Sequence, residues 1–126
     1  REYSITPSVL NRLIRVIIRA MLRSMLQEVQ TVRESQIEAR LVQGVKAKGG
    51  MCMKFTSPGL PGVPDRIVLT PAGRIYFVEL KTEIGRLASI QKWVIGELEK
   101  RGAEVRVIKG PEAVKDFLKE VFADEV

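Results

Sequence analysis

The sequence predicts an α/β fold, a mixed β-sheet flanked by helices. Three observations carry this. From Arg33 onward, segments with helical and strand periodicity follow one another in the order α-β-β-β-α-β-α. Clusters of Pro and Gly separate them. The chain has 126 residues, 45% of them apolar, enough for one compact domain with a real core.

The elements follow in order. Pro7 and Ser8 start a helix over residues 7–30, in which Leu10, Leu13, Ile14, Ile17, Met21, Leu22 and Met25 recur at helical spacing. Arg12, Arg15, Arg19 and Arg23 lie on another face, making this a basic amphipathic helix. Four arginines are expensive in lipid, so the segment is not read as a membrane span, and no membrane partner is expected. A second helix is expected over residues 33–48, with Ile37, Leu41, Val42 and Val45 inward and Gly49–Gly50 ending it. The domain boundary is placed between 1–31 and 32–126.

Residues 51–56 read as a short strand, and SPGLPGVPD at 57–65 as a loop. Residues 66–69 form a strand, 70–74 a turn punctuated by Pro71 and Gly73, and 75–80 the strongest strand. A helix is expected over 85–101, with Leu87, Ile90, Val94, Ile95 and Leu98 inward and Gly102 closing it. A strand over 105–108 and a helix over 111–122 complete the chain, with Val114, Phe117, Leu118 and Val121 on one side of that helix. The first residue is Arg1 rather than Met, which is the expectation for a fragment or a processed form.

Composition narrows the chemistry. With no histidine, Ser-His-Asp triads, Cys-His nucleophiles and HExxH metal sites are excluded. Cys52 is the single cysteine, so there is no internal disulfide and no multi-cysteine zinc site. The lone thiol fits a reducing cytoplasm. An enzyme here must work with carboxylates, lysines or bound metal. A net charge of +6 and a pI near 9.8 favour an anionic partner, nucleic acid first.

The hairpin over 65–81 is the informative segment. If its turn centres on Ala72, Leu69 pairs with Ile75, and Asp65 falls directly opposite Glu79 on the same face of the sheet. Two carboxylates so placed repel each other, and a divalent cation reverses the sign because Mg²⁺ takes hard oxygen ligands. Lys81 lies two residues past Glu79 and shares its face. The set is equipped for phosphodiester hydrolysis, with metal activating a water and the lysine steadying charge. The plainer alternative is a surface Glu-Lys pair with Asp65 capping a turn. Against it, Val78 and Leu80 set Glu79 in an apolar strand, where a charge is costly. Pro64 fixes the approach to Asp65.

VPD at 63–65 followed by VELK at 78–81 resembles the PD-(D/E)XK nuclease signature. More narrowly, the stretch from Lys54 through Gln91 resembles the VRR-NUC (virus-type replication-repair nuclease) family, with Gly85, Leu87, Ser89 and Gln91 in the places of a following G-x-L-s and glutamine. The match reads from about Arg33 to Ile108, leaving residues 7–30 outside. The resemblance implies a restriction-endonuclease-like core in αβββαβ order and a Mg²⁺- or Mn²⁺-dependent DNA endonuclease. It implies Asp65 and Glu79 as metal ligands, Lys81 as the catalytic lysine, and Gln91 as a contact near the metal or phosphate. It also implies an acid on the first core helix. Glu34 and Glu38 share a helical face and both stay open for that role, Glu34 slightly preferred as a ligand.

Lys54, Ser57, Arg66 and Arg86 are the candidate DNA contacts around the signature. Trp93 is expected in the core or an interface, and Cys52 in packing. The apolar helix over 7–30 either packs on the domain's own core or holds two subunits together. A homodimer would supply the two active sites needed to cut two strands of a branched DNA such as a Holliday junction; flaps are also candidate substrates, in phage or bacterial replication and repair. A non-catalytic DNA-binding module on the same fold is the alternative, against which the complete Asp…Glu-x-Lys set stands.

Overall fold

A computed structural model describes residues 4–125. They form two compact units, residues up to Val32 and residues from Arg33. Helix α1 runs from Pro7 to Ala47 and contributes to both. The sequence reading expected two helices here. No Gly or Pro lies between Gln30 and Arg33, and the β-branched Thr31 and Val32 lower helix propensity by only about half a kcal/mol each, so the helix continues. Residues 7–29 are exposed throughout. Among the described residues no helix is long and apolar enough to cross a membrane.

The second unit is built on a four-stranded sheet in the order β1-β2-β3-β4. Strand β1 spans Met51–Lys54, two residues shorter than expected, β2 Arg66–Leu69, and β3 Ile75–Lys81. These three pair antiparallel. Leu69 pairs with Ile75, as the turn chemistry predicts. Gly73 takes the left-handed φ of +88° that closes this turn, and its N–H donates to the Thr70 carbonyl at 2.9 Å. Helix α2, Ser89–Lys100, carries the chain over to β4, Val105–Lys109, which lies parallel to β3, and α3, Gly110–Phe122, follows. The helix begins four residues later than the expected start at Gly85. A turn falls at 83–84, residues 85–88 are irregular, and Ala88 is the N-cap.

Strand alternation sorts the sheet's two faces. Val68, Tyr76, Val78, Leu80 and Ile108 meet Ile37, Leu41 and Val45 of α1 and Val114, Phe117, Val121 and Phe122 of α3 in one core. Tyr76 meets Phe117 edge-on at 5.9 Å. The other face carries Phe77, Glu79 and Lys81, with Phe55 against Phe77 at 5.9 Å and α2 reaching Glu79 through Gln91. Helices therefore cover both faces, and the charged face is the one beneath α2. In α2 only Val94 and Ile95 are buried, while Ile90 and Trp93 are exposed. Of the two places expected for Trp93, the core is excluded by its 56% exposure on the outer side of α2.

Candidate active site

The register Arg66–Val78 extends by one rung to set Asp65 opposite Glu79. Buried Pro64 delivers Asp65 to the end of β2. The Asp65 carboxylate leaves the ladder's edge and accepts the Leu80 backbone N–H at 3.1 Å, which fixes it against β3. Glu79 is 1% exposed, an unusual place for a carboxylate. Its Oε1 accepts a hydrogen bond from Gln91 Nε2 at 2.8 Å and lies 3.5 Å from Lys81 Nζ. Its Oε2 is buried and has no hydrogen-bond partner among the described residues. Burial pushes the Glu79 carboxyl up to about 7, the negative charge of Asp65 adds to the rise, and the Lys81 ammonium opposes it.

Gln91 is locked at both ends of its amide. Its Oε1 accepts the Ala88 N–H at 2.9 Å, closing the first turn of α2, while its nitrogen holds Glu79. The Pro/Gly-rich loop is seated on the same helix. At Gly62, φ is +86° and an added Cβ would stand 3.0 Å from Ile90 carbonyl oxygen, so only glycine lets the loop lie against α2 beside Gln91. Replacing Gln91 with Ala leaves Glu79 Oε1 one donor short. Steady-state cleavage assays are expected to show activity about 10- to 100-fold lower, with the fold retained.

Two facing carboxylates with a buried, unpartnered oxygen suit a hard divalent cation. Mg²⁺ is commonly held by one or two carboxylates, with water and substrate phosphate completing the shell. Among the described residues no group of three or more His, Cys, Asp or Glu side chains assembles. The pair Asp65 and Glu79 is thus the donor set the structure offers.

The other predicted residues fall in several places. Glu34 is exposed, and it does not join the pair as a third ligand. Glu38 ion-pairs with Arg66. Arg66 alternates with Asp65 along the strand and so turns toward α1, away from the carboxylate face. Its ion pair occupies the guanidinium that the sequence reading offered to DNA. Lys54 pairs with Arg66 in the register and shares that face. Lys54 and Arg86 are exposed, and Ser57 is half-buried at the start of the loop. Ser89 is the first residue of α2 and is exposed. Burial pushes the Cys52 thiol up to about 11, so it is no nucleophile at neutral pH. Sequence reading missed two partners. The Leu80 backbone amide that holds Asp65 has no side-chain signature and follows only from the register. The Arg33–Glu83 ion pair, 2.8 Å, joins α1 to the segment after Lys81 across fifty residues, beyond any local signal.

Three comparisons bear on this site. The model of the VRR-NUC domain family matches residues 12–112, a span that begins inside α1 rather than at its core segment. A solved structure described as a VRR_NUC domain superposes with a TM-score of 0.67 at 29% identity, covering 71% of this chain and 97% of that one. The "Putative nuclease p44" of Acyrthosiphon pisum secondary endosymbiont phage 1 is 51% identical over 53 residues, 42% of this chain. The chain spans 57% of that relative's length. With a family model matching most of the sequence and a solved member matching the fold, the chain belongs to the VRR-NUC family.

Proposed function

We propose that the chain is a nuclease that hydrolyses phosphodiester bonds of DNA with Mg²⁺ or Mn²⁺, acting on branched structures as a homodimer. One observation carries the reading. A fully buried carboxylate, Glu79, faces Asp65 and touches Lys81, with one oxygen left unpaired. A structural role would favour a neutral residue at Glu79, because a carboxylate buried that deeply is costly. The family match and the name of the phage relative support the same chemistry.

Asp65 and Glu79 are the residues that would hold the metal. When bound, it polarises the phosphate and lowers the pKa of a water. Gln91 keeps Oε1 of Glu79 engaged, which leaves Oε2 for a ligand. The Leu80 amide holds Asp65 in register with it. Lys81, with its side chain 18% exposed, places its ammonium at the mouth of this pair, where it steadies the charge that develops on the phosphate oxygens. Water attacks phosphorus, one P–O ester bond breaks, and the leaving oxygen takes a proton, with no covalent enzyme intermediate. Glu34, exposed on α1, is the acid left for a supporting role, since Glu38 ion-pairs with Arg66. The chain carries no base-reading motif, so recognition rests on shape and phosphates. Two strands of a junction require two such sites, which a homodimer supplies.

The test is a panel of labelled four-way junction, 5′ flap, single-stranded and linear duplex DNA. The expected result is faster cleavage of the branched substrates in Mn²⁺ and none in EDTA. Equal rates on junction and linear duplex would remove the structure preference. Binding without cleavage of any substrate would favour a DNA-binding module.

A further inference from the structure

Along residues 9–32 of α1 every large apolar side chain is exposed, from Val9 at 41% to Leu26 at 68%. A helix that is apolar over most of its circumference is normally buried. At 3.6 residues per turn, Arg12, Arg15, Arg19 and Arg23 fall within an arc of about 80°. The midline directly opposite runs through Leu10, Ile14, Ile17 and Met21, at the alternating spacing of four and three that a helix–helix seam requires. Farther along, the same midline reaches Glu28.

We infer that this midline is covered by the same face of a second copy of the chain, the two helices lying antiparallel about a two-fold axis near Arg19. Charge selects the direction. Parallel helices would set Glu28 against Glu28 on the seam, two carboxylates with no cation between them. Antiparallel helices carry Glu28 to the partner's N-terminal turn, which has the positive end of the helix dipole and no acid of its own. In that register Ile17 meets the partner's Met21 at the centre, and Ile14 lies toward its Met25. The arginines stay outside in water. A stable interface needs about 800 Å² from each partner. The half-exposed side chains along this face are the surface available to supply it.

The inference stands on the helix alone and is tested without DNA or metal. Sedimentation equilibrium of the full chain at micromolar concentration is expected to give a mass of at least two copies of the 14.2 kDa chain. Ile17→Glu with Met21→Glu should raise the dissociation constant at least tenfold, and Arg15→Glu should change it little. All three positions are exposed, so an unchanged cooperative melt of the sheet domain verifies folding. Glu28→Gln removes the charge facing the partner's N-terminus and should weaken the assembly, and a tighter assembly would overturn the antiparallel arrangement. A 14.2 kDa monomer, or a mass unaffected by the double substitution, would overturn the inference. So would a monomer that co-sediments with phosphatidylserine vesicles, which would assign the apolar face to lipid.

Discussion

Replacing Glu79 with Gln is expected to abolish cleavage while making the metal-free fold more stable at pH 8. The two effects share one cause. Glu79 is 1% exposed and faces Asp65, so its charged form is disfavoured and its carboxyl sits near 7 rather than 4.5. Between those two values the folded chain binds more protons than the unfolded one. Its stability is therefore fullest below about 4.5 and falls as pH rises through 7, by on the order of 3 kcal/mol at pH 8. Glutamine is neutral and keeps an acceptor for Gln91. Thermal melts in EDTA should show wild type losing stability from pH 5 to 8, with the variant flat across the window and above it at pH 8. Cleavage by the variant should drop about 10³-fold or more, because the buried ligand oxygen has lost its charge.

Lys81→Ala is expected to have the second largest effect on activity. The ammonium lies 3.5 Å from Glu79 Oε1 and is partly exposed, so it touches the carboxylate and is open to solvent. Removing it should lower turnover about 10²- to 10³-fold. DNA binding measured in EDTA should change only a few-fold, since one phosphate contact among several is lost. The same substitution removes the charge that holds the Glu79 carboxyl down. The pH window of stability loss should then move upward, which separates Lys81 from a distant surface lysine. Lys81→Arg is expected to restore little, because the bulkier, planar guanidinium does not reproduce a compact ammonium.

Most of the second unit was legible in the sequence because its signals are local. Pro71 and Gly73 fix the turn, the turn fixes Leu69 against Ile75, and the period-two rule then places Asp65, Glu79 and Lys81 on one face. Gln91 was legible only through the family resemblance, and the structure gives its physical reason, a single amide that caps α2 and holds Glu79. The bounds of α1 were not legible. Thr31 and Val32 read as a break, yet weak propensity without Gly or Pro does not end a helix that is anchored on its far side by Ile37, Leu41 and Val45. The start of α2 slipped for a related reason. A Cβ added at Gly85 would stand 3.2 Å from Lys81 Cβ, and the Gly85 N–H donates to the Thr82 carbonyl at 3.0 Å, so the chain turns tightly at the end of β3 before any helix can begin. The Arg66–Glu38 ion pair was not legible because Glu38 comes from another element. Side chains that alternate across one strand serve different faces, and charge alone does not tell which face meets DNA.

Metal-dependent cleavage tests the central claim most directly. Wild type, Asp65→Asn, Glu79→Gln and Lys81→Ala should be compared on the most rapidly cut DNA, in Mn²⁺ and in EDTA, with each variant's melt recorded alongside. Wild type is expected to cut in Mn²⁺ only, and cutting is expected to be lost in all three folded variants. Cutting that persists in EDTA, or in Glu79→Gln, would contradict the claim and place the chemistry elsewhere in the molecule.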